Sequence, residues 1–479
     1  MKRTRTQSLA SYFETEVIPL SFVAPWRTHQ RSHRVGLNPH EPLTAPSVAM
    51  RLLLAGAVLL SAAAYYVYLP LPSGVSEPWK LMLLDALFRS FMQASDAAHA
   101  LGVCHRIHLL NWVVSWVEEI EAHSCDAVQV ADSTLGGVPT RVFHPLGGSQ
   151  LKRGIVYFHG GGWALGSARM RSYDLLCRKM AKDLDSVVMS VDYRLAPDAV
   201  FPDQYYDALA ASRAFLTPEV LHRYRIDPNR VCVSGDSAGG NLAAAVAQEV
   251  KTETHTHTHT HTHTQAKTRL CPQLSSDDSL PVKFKLQALI YPVLQALDFH
   301  TASYQQNQAV PILYRPFMAR FWLQYLGADS SLEPLLLTNN HSSLDQRVIS
   351  ADTRSKVDWT ALLSSEKRKH FRPVVKARGS PEVMDAVPHL MDVRAAPLLA
   401  DQAVLRRTPT AYVMTCEFDV LRDDGLMYVR RLQDAGVTAT SDHYEDGFHG
   451  CMVFSFLPMM SSVGQRSMNN YISWLDQNL

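Results

Sequence analysis

Gly235-Asp236-Ser237-Ala238-Gly239 has the G-x-S-x-G spacing of a nucleophile turn. A serine hydroxyl is a weak nucleophile until a base takes its proton, so the chemistry implied is acyl transfer through a covalent serine intermediate. In such a turn the positions two before and two after the serine have no room for a Cβ. Glycine fits there and also tolerates strained backbone. A second cluster, His159-Gly160-Gly161-Gly162-Trp163, can turn backbone N–H groups toward the oxyanion that acyl transfer creates. The amides of Gly161, Gly162 and Ala238 are assigned to that oxyanion hole.

The serine needs a base, and the base needs an orienting acid. The expected chain order is Ser, then Asp or Glu, then His. Cys416-Glu417-Phe418-Asp419-Val420-Leu421-Arg422-Asp423-Asp424-Gly425 supplies acids, and Asp446-Gly447-Phe448-His449-Gly450 supplies a base. His449 stands out among 21 histidines for its late, glycine-flanked loop, with His443 in reserve. Asp419 comes soonest after its strand. Glu417, Asp423 and Asp424 compete with it, and spacing leaves Asp419 only just ahead.

These groups need a scaffold that brings loops together. Val128–Val130 and Thr140–Phe143 flank Gly136-Gly137 and predict an antiparallel pair. Apolar runs at 154–158, 186–191, 231–234, 286–291 and 411–415 predict buried strands, with a further strand at Thr440–Tyr444. Helical segments at 170–183, 203–215 and 241–250 lie between them. Strands alternating with helices predict a mainly parallel, doubly wound α/β sheet covered on both faces. Each functional segment then follows a strand, at the end where such sheets keep their reactive groups.

Other parts of the chain sit outside that alternation. Residues 1–50 are basic and proline-rich and read as a disordered cytoplasmic tail. Residues 51–72 hold an uncharged run long enough to span a bilayer, with the basic flank before it. That predicts a signal anchor, Tyr65, Tyr66 and Tyr68 at the interface, and the bulk, 73–479, across the membrane. Residues 73–123 predict amphipathic helices contributing to a lid, and 303–400 a helical cap insertion. The tract Thr254–Thr264, inside 251–282, reads as a surface low-complexity insertion. Net charge is +1, which gives no basic face for nucleic acid. Seven scattered cysteines have no metal-ligand spacing; no metal and no organic cofactor are expected. Asn340-His341-Ser342 is the glycosylation sequon, usable if the bulk is lumenal.

His159–Trp163, Asp192-Tyr-Arg-Leu-Ala-Pro197, Gly235–Gly240, Asp419–Asp423 and Gly447-Phe-His449 together resemble the hormone-sensitive-lipase-like branch of the α/β-hydrolases. Within that branch the chain is similar to the arylacetamide deacetylase group, from near Met50 to the C-terminus. The resemblance implies an α/β-hydrolase fold with a helical cap behind one transmembrane helix. It also implies a serine ester hydrolase of the endoplasmic-reticulum membrane, type II, with a lumenal, N-glycosylated domain. Its substrates would be cholesteryl esters or 2-acetyl monoalkylglycerol ethers. The family's catalytic acid falls on Asp419 and its histidine on His449. Val420 departs from the proline common in the wider branch, and the residues before Met50 and the His/Thr tract are additions. Two other functions fit the same fold: a broad xenobiotic carboxylesterase, and a non-catalytic ligand-binding protein.

Overall fold

The structure is a computed structural model and describes residues 47–148, 150–249, 282–345, 348–456 and 461–479. The basic tail before residue 47 and the His/Thr tract lie outside the described residues. Helices α1 (Val48–Val67), α2 (Pro78–Ala100) and α3 (Arg106–Glu118) come first. Eight strands follow: β1 (Val128–Leu135), β2 (Val138–Pro145), β3 (Lys152–Phe158), β4 (Ser186–Val191), β5 (Ile226–Asp236), β6 (Leu286–Ile290), β7 (Thr410–Phe418) and β8 (Ala439–Phe448). Between them lie α4 (Arg171–Asp183), α5 (Asp203–Phe215), α6 (Pro218–Arg223) and α7 (Ala238–Glu249).

The strands form one sheet in the order β1-β2-β4-β3-β5-β6-β7-β8. β2 pairs antiparallel with β1 and β4, and from β4 to β8 every pairing is parallel. Gly136 and Gly137 both have positive φ, as a two-residue hairpin loop requires. Central parallel strands are covered on both faces and so read as continuous apolar runs. β4 is buried at every position, and so is β6. β8 lies at the sheet edge, where exposed polar residues break the pattern. It runs to Phe448, further than the apolar pattern alone indicates, so His449 is the first residue beyond the strand.

The period of two in β3 divides the core. Val156 and Phe158 join a cluster with α5, α7 and the helix Arg422–Asp434. Ile155 and Tyr157 face α4 and the C-terminal helix Ser462–Asn478. Short helices between β6 and β7, including Arg315–Tyr325, bury Met318, Trp322 and Tyr325 in the α5–α7 cluster. This segment shares its core with the sheet.

Helix α1 has no buried residue and is, among the described residues, the one helix long and apolar enough to cross a bilayer. It ends before Pro70 and Pro72, which cannot continue a helix because they lack the N–H. The described residues divide into two units between Ser61 and Ala62, so the last turn of α1 belongs to the larger one. All six described cysteines are thiols; Cys416 and Cys451 lie with their Sγ atoms 3.7 Å apart.

Trp163, after β3, stacks on Tyr325 at 4.1 Å and also meets Trp322. Trp163→Ala is expected to cost about 3–5 kcal/mol of stability, the usual loss for a buried aromatic side chain. Calorimetry checks this as a clear fall in Tm, and an unchanged Tm contradicts it.

Candidate active site

Ser237 sits between the last residue of β5 and the first of α7, with φ of 54°. That left-handed conformation is costly for a non-glycine residue. It is held by the Ser237 amide, which donates to the Ile290 carbonyl at 2.9 Å, and by Asn241 N–H, which donates to the Ser237 carbonyl at 3.0 Å. A Cβ on Gly239 would lie 2.0 Å from the Phe158 carbonyl oxygen, and one on Gly235 would lie 2.4 Å from that of Gly239. The turn therefore packs backbone against backbone on the end of β3, just where the second glycine cluster begins.

His449, at the end of β8, bridges two side chains from other strands. Its Nδ1–H donates to Asp419 Oδ2 at 2.8 Å, and its Nε2 faces Ser237 Oγ at 3.0 Å. The acid on Nδ1 fixes the tautomer that leaves Nε2 free to accept the serine proton. Asp419 is oriented through Oδ1, which accepts from Leu421 N–H at 2.8 Å. All three residues are buried. The competing acids lie elsewhere. Asp423 accepts from Ser303 N–H and Arg422, and Asp424 from Leu294 N–H and Gln295. Glu417 accepts from Lys367 and Arg422, and faces His443 Nε2 at 3.0 Å; His443 Nδ1 is engaged with Thr415 Oγ1. Burial pushes Glu417 upward, but His443, Arg422 and Lys367 outweigh it and hold this carboxyl below its ordinary range. Glu417, His443 and Glu445 have metal-ligand spacing. The Lys367 ammonium sits 2.6 Å from Glu417 Oε2 and 3.0 Å from His443 Nε2, where a cation would sit.

The glycine loop after β3 is shaped from several sides. Gly161 has φ of 110° and Gly162 of 61°, and a Cβ on Gly161 would lie 2.0 Å from the Leu165 carbonyl oxygen. Among the described residues no hydrogen bond engages the amides of Gly161, Gly162 or Ala238. His159 stacks on Tyr193 at 4.4 Å, and Tyr193 donates its hydroxyl to the His159 carbonyl at 2.7 Å. Ala196 N–H donates to the Trp163 carbonyl, so the Asp192–Pro197 segment braces the loop. From above, α3 presents Asn111, whose Nδ2 donates to the Ala164 carbonyl and whose Oδ1 accepts from Gly166 N–H. The Phe321 ring lies against Gly162.

Asp236 was visible in sequence only as part of the serine motif, and its partners were not visible at all. Its carboxylate accepts from Tyr157 OH at 2.9 Å, from Tyr173 OH at 3.2 Å and from Gly160 N–H at 2.9 Å. It thereby ties the serine turn to the glycine loop. Burial raises its carboxyl to about 6 against the hydrogen bonds from the two tyrosines. Asn340, the sequon residue, is half-buried in the turn after a short helix, its N–H donating to the Leu335 carbonyl. Chemically, a positioned hydroxyl, an oriented imidazole and unengaged amides suit attack on an acyl carbonyl and stabilisation of its oxyanion.

The sequence matches the family described as "alpha/beta hydrolase fold" over residues 155–353 and 364–453. It is 49% identical over 423 residues to neutral cholesterol ester hydrolase 1 of Bos taurus, covering 88% of this chain and 98% of that protein. It is 42% identical over 417 residues to arylacetamide deacetylase of Oryctolagus cuniculus, covering 87% and 96%. A thermostable esterase from Pseudomonas putida is similar in structure, with TM-score 0.55 and 23% identity, over 85% of this chain and 99% of that one. That likeness concerns the fold.

Two outcomes follow for the loop and its tie. Gly161→Ala is expected to lower kcat for ester hydrolysis by about 100-fold or more, the usual loss when one oxyanion donor is displaced. An unchanged kcat contradicts the assignment of the hole. Asp236 has a folded value of about 6 against 3.8 in the absence of burial. Its contribution to stability is thus fully present below about pH 4 and is lost as the pH rises through about 6. Asp236→Asn removes that part of the pH dependence, which Tm measured from pH 4 to 7 checks against wild type.

Proposed function

The chain belongs to the α/β-hydrolase fold family, and from that premise we propose a membrane-anchored serine hydrolase of lipid esters. The observation that carries this reading is the unbroken chain of hydrogen-bonding contacts from Asp419 through His449 to Ser237 Oγ. His449 Nε2 takes the hydroxyl proton as Ser237 Oγ attacks the ester carbonyl. Asp419 stabilises the imidazolium and keeps the ring oriented. The carbonyl oxygen, now negative, rests on the amides of Gly161, Gly162 and Ala238. Collapse expels the alcohol, which takes the proton from His449, and leaves Ser237 acylated. Water then repeats the sequence, releasing the acid and the free serine. No metal and no organic cofactor enters these steps.

The substrate class proposed is cholesteryl esters or 2-acetyl monoalkylglycerol ethers. The first of these rests on the relatives named neutral cholesterol ester hydrolase 1, and a lipid substrate in general on the apolar helix ahead of the catalytic domain. We place the enzyme in the endoplasmic-reticulum membrane as a single-pass type II protein with a lumenal domain glycosylated at Asn340. A second reading, a broad xenobiotic esterase, is favoured by the 42% identity to an arylacetamide deacetylase.

Membranes carrying the wild-type chain or Ser237→Ala, given a cholesteryl ester, a 2-acetyl ether glycerolipid and an aryl acetamide, separate these readings. Turnover of either lipid that disappears in Ser237→Ala is the expected result. Turnover of the acetamide alone contradicts the lipid reading and leaves the xenobiotic one.

A further inference from the structure

Helices α2 and α3 carry an apolar face that no other described residue covers. On α3, Trp112 and Trp116 are 64% and 78% exposed, with Val117 beside them. On α2, Trp79, Leu83 and Leu87 recur every fourth residue on one face, and all are exposed. Leu101 and Val103, in the turn between the helices, are 80% and 73% exposed. Large apolar side chains gathered in this way on one helical hairpin are unusual on a soluble surface and mark a docking site. The opposite sides of the same helices are packed. Ile107 and Leu110 are buried against Ala164, Leu165 and Ala196, with Phe91 and Met92 beside them. Asp85 accepts from Tyr314 OH at 2.8 Å and from Arg89 at 2.6 Å.

The position of this hairpin selects its occupant. Arg89, in the middle of α2, donates to the Tyr66 carbonyl at 2.9 Å and stacks over the Tyr66 ring at 4.6 Å. The Tyr66 hydroxyl in turn reaches Ser90 and Gln93. The last turn of α1 is therefore fastened to α2. Tyr65 and Tyr68, on either side, are exposed, as residues at a headgroup boundary are. Residues 62–68, which close the apolar run, are thus held on α2 within one unit.

We propose that the exposed face of α2 and α3, with Trp79, Trp112 and Trp116 as its aromatic anchors, is a membrane-contact surface that seats the catalytic domain on the bilayer. Tryptophan and leucine on one side of a helix suit burial at the headgroup boundary. The inner side of α3 binds the Ala164 carbonyl and Gly166 N–H through Asn111, so this seat adjoins the chain just past the glycine cluster. Lipid esters then enter from the bilayer without crossing water. This inference rests on the anchored lipid-esterase reading.

The test uses the full chain in vesicles of phosphatidylcholine containing dibrominated acyl chains and a trace of cholesteryl oleate. Tryptophan quenching is read on Ser237→Ala, so that it does not depend on turnover. Bromolipid is expected to quench a fraction of the emission that is lost in Trp79→Ser/Trp112→Ser/Trp116→Ser. Equal quenching with and without those indoles overturns the proposal. So does a pair of chains that Trp112→Asp/Trp116→Asp separates in detergent, since a second copy would then cover the face. In the active chain, Trp112→Asp/Trp116→Asp should lower hydrolysis of vesicle-borne ester about tenfold, a factor typical of weakened interfacial seating. Hydrolysis of a water-soluble acetate ester should stay within about twofold of wild type. Equal losses on both substrates contradict the proposal. If wild type hydrolyses neither ester, the lipid-esterase reading fails while the quenching result still decides the surface.

Discussion

The close approach of two backbones at the centre of the sheet governs everything else in the site. Gly239, just past the serine, lies so near the Phe158 carbonyl that no Cβ could stand between them. This contact fixes the serine turn against the end of β3, where the His159–Trp163 loop begins. Ser237 carries a positive φ as a result. Such strain persists only where the surroundings over-determine it. Here the surroundings are the Ile290 carbonyl, the first turn of α7 and the Asp236 carboxylate with its two tyrosines.

The parallel sheet turns that single contact into a reacting centre. Ser237, the glycine loop, Asp419 and His449 follow β5, β3, β7 and β8, which all point the same way. Over their common end lie two covers of different origin. One is α3 with the helices before the sheet, gripping the loop at Ala164 and Gly166. The other is the helix Arg315–Tyr325, whose Phe321 rests on Gly162 and whose Tyr325 stacks on Trp163. Both covers meet the chain that leaves β3, one at Gly162 and Trp163, the other at Ala164 and Gly166.

Much of this could be read from local pattern. Apolar runs ending in glycine clusters marked β3 and β5 and the loops beyond them, because buried parallel strands leave a continuous signal. The edge strand β8 was less legible: its exposed polar residues hide the alternation, and its last stretch read as a loop. The choice among Glu417, Asp419, Asp423 and Asp424 was nearly open by spacing. Spacing left Asp419 only just ahead and the resemblance added to it; in the structure it is Asp419 that meets His449, while the other three engage other partners. Long-range polar partners left no trace in the sequence. Tyr157 and Tyr173 meet Asp236 across more than sixty residues of chain, and Asn111 meets Gly166 across more than fifty. Nothing in local spacing encodes such pairs; the fold creates them.

The central claim is that Ser237 is a nucleophile activated by His449. Mass spectrometry of the chain after brief exposure to a fluorophosphonate addresses it directly. The account predicts one adduct, on the peptide containing Ser237, formed at a rate that collapses in His449→Gln. An adduct on another serine, or labelling of Ser237 at an undiminished rate without His449, would contradict it.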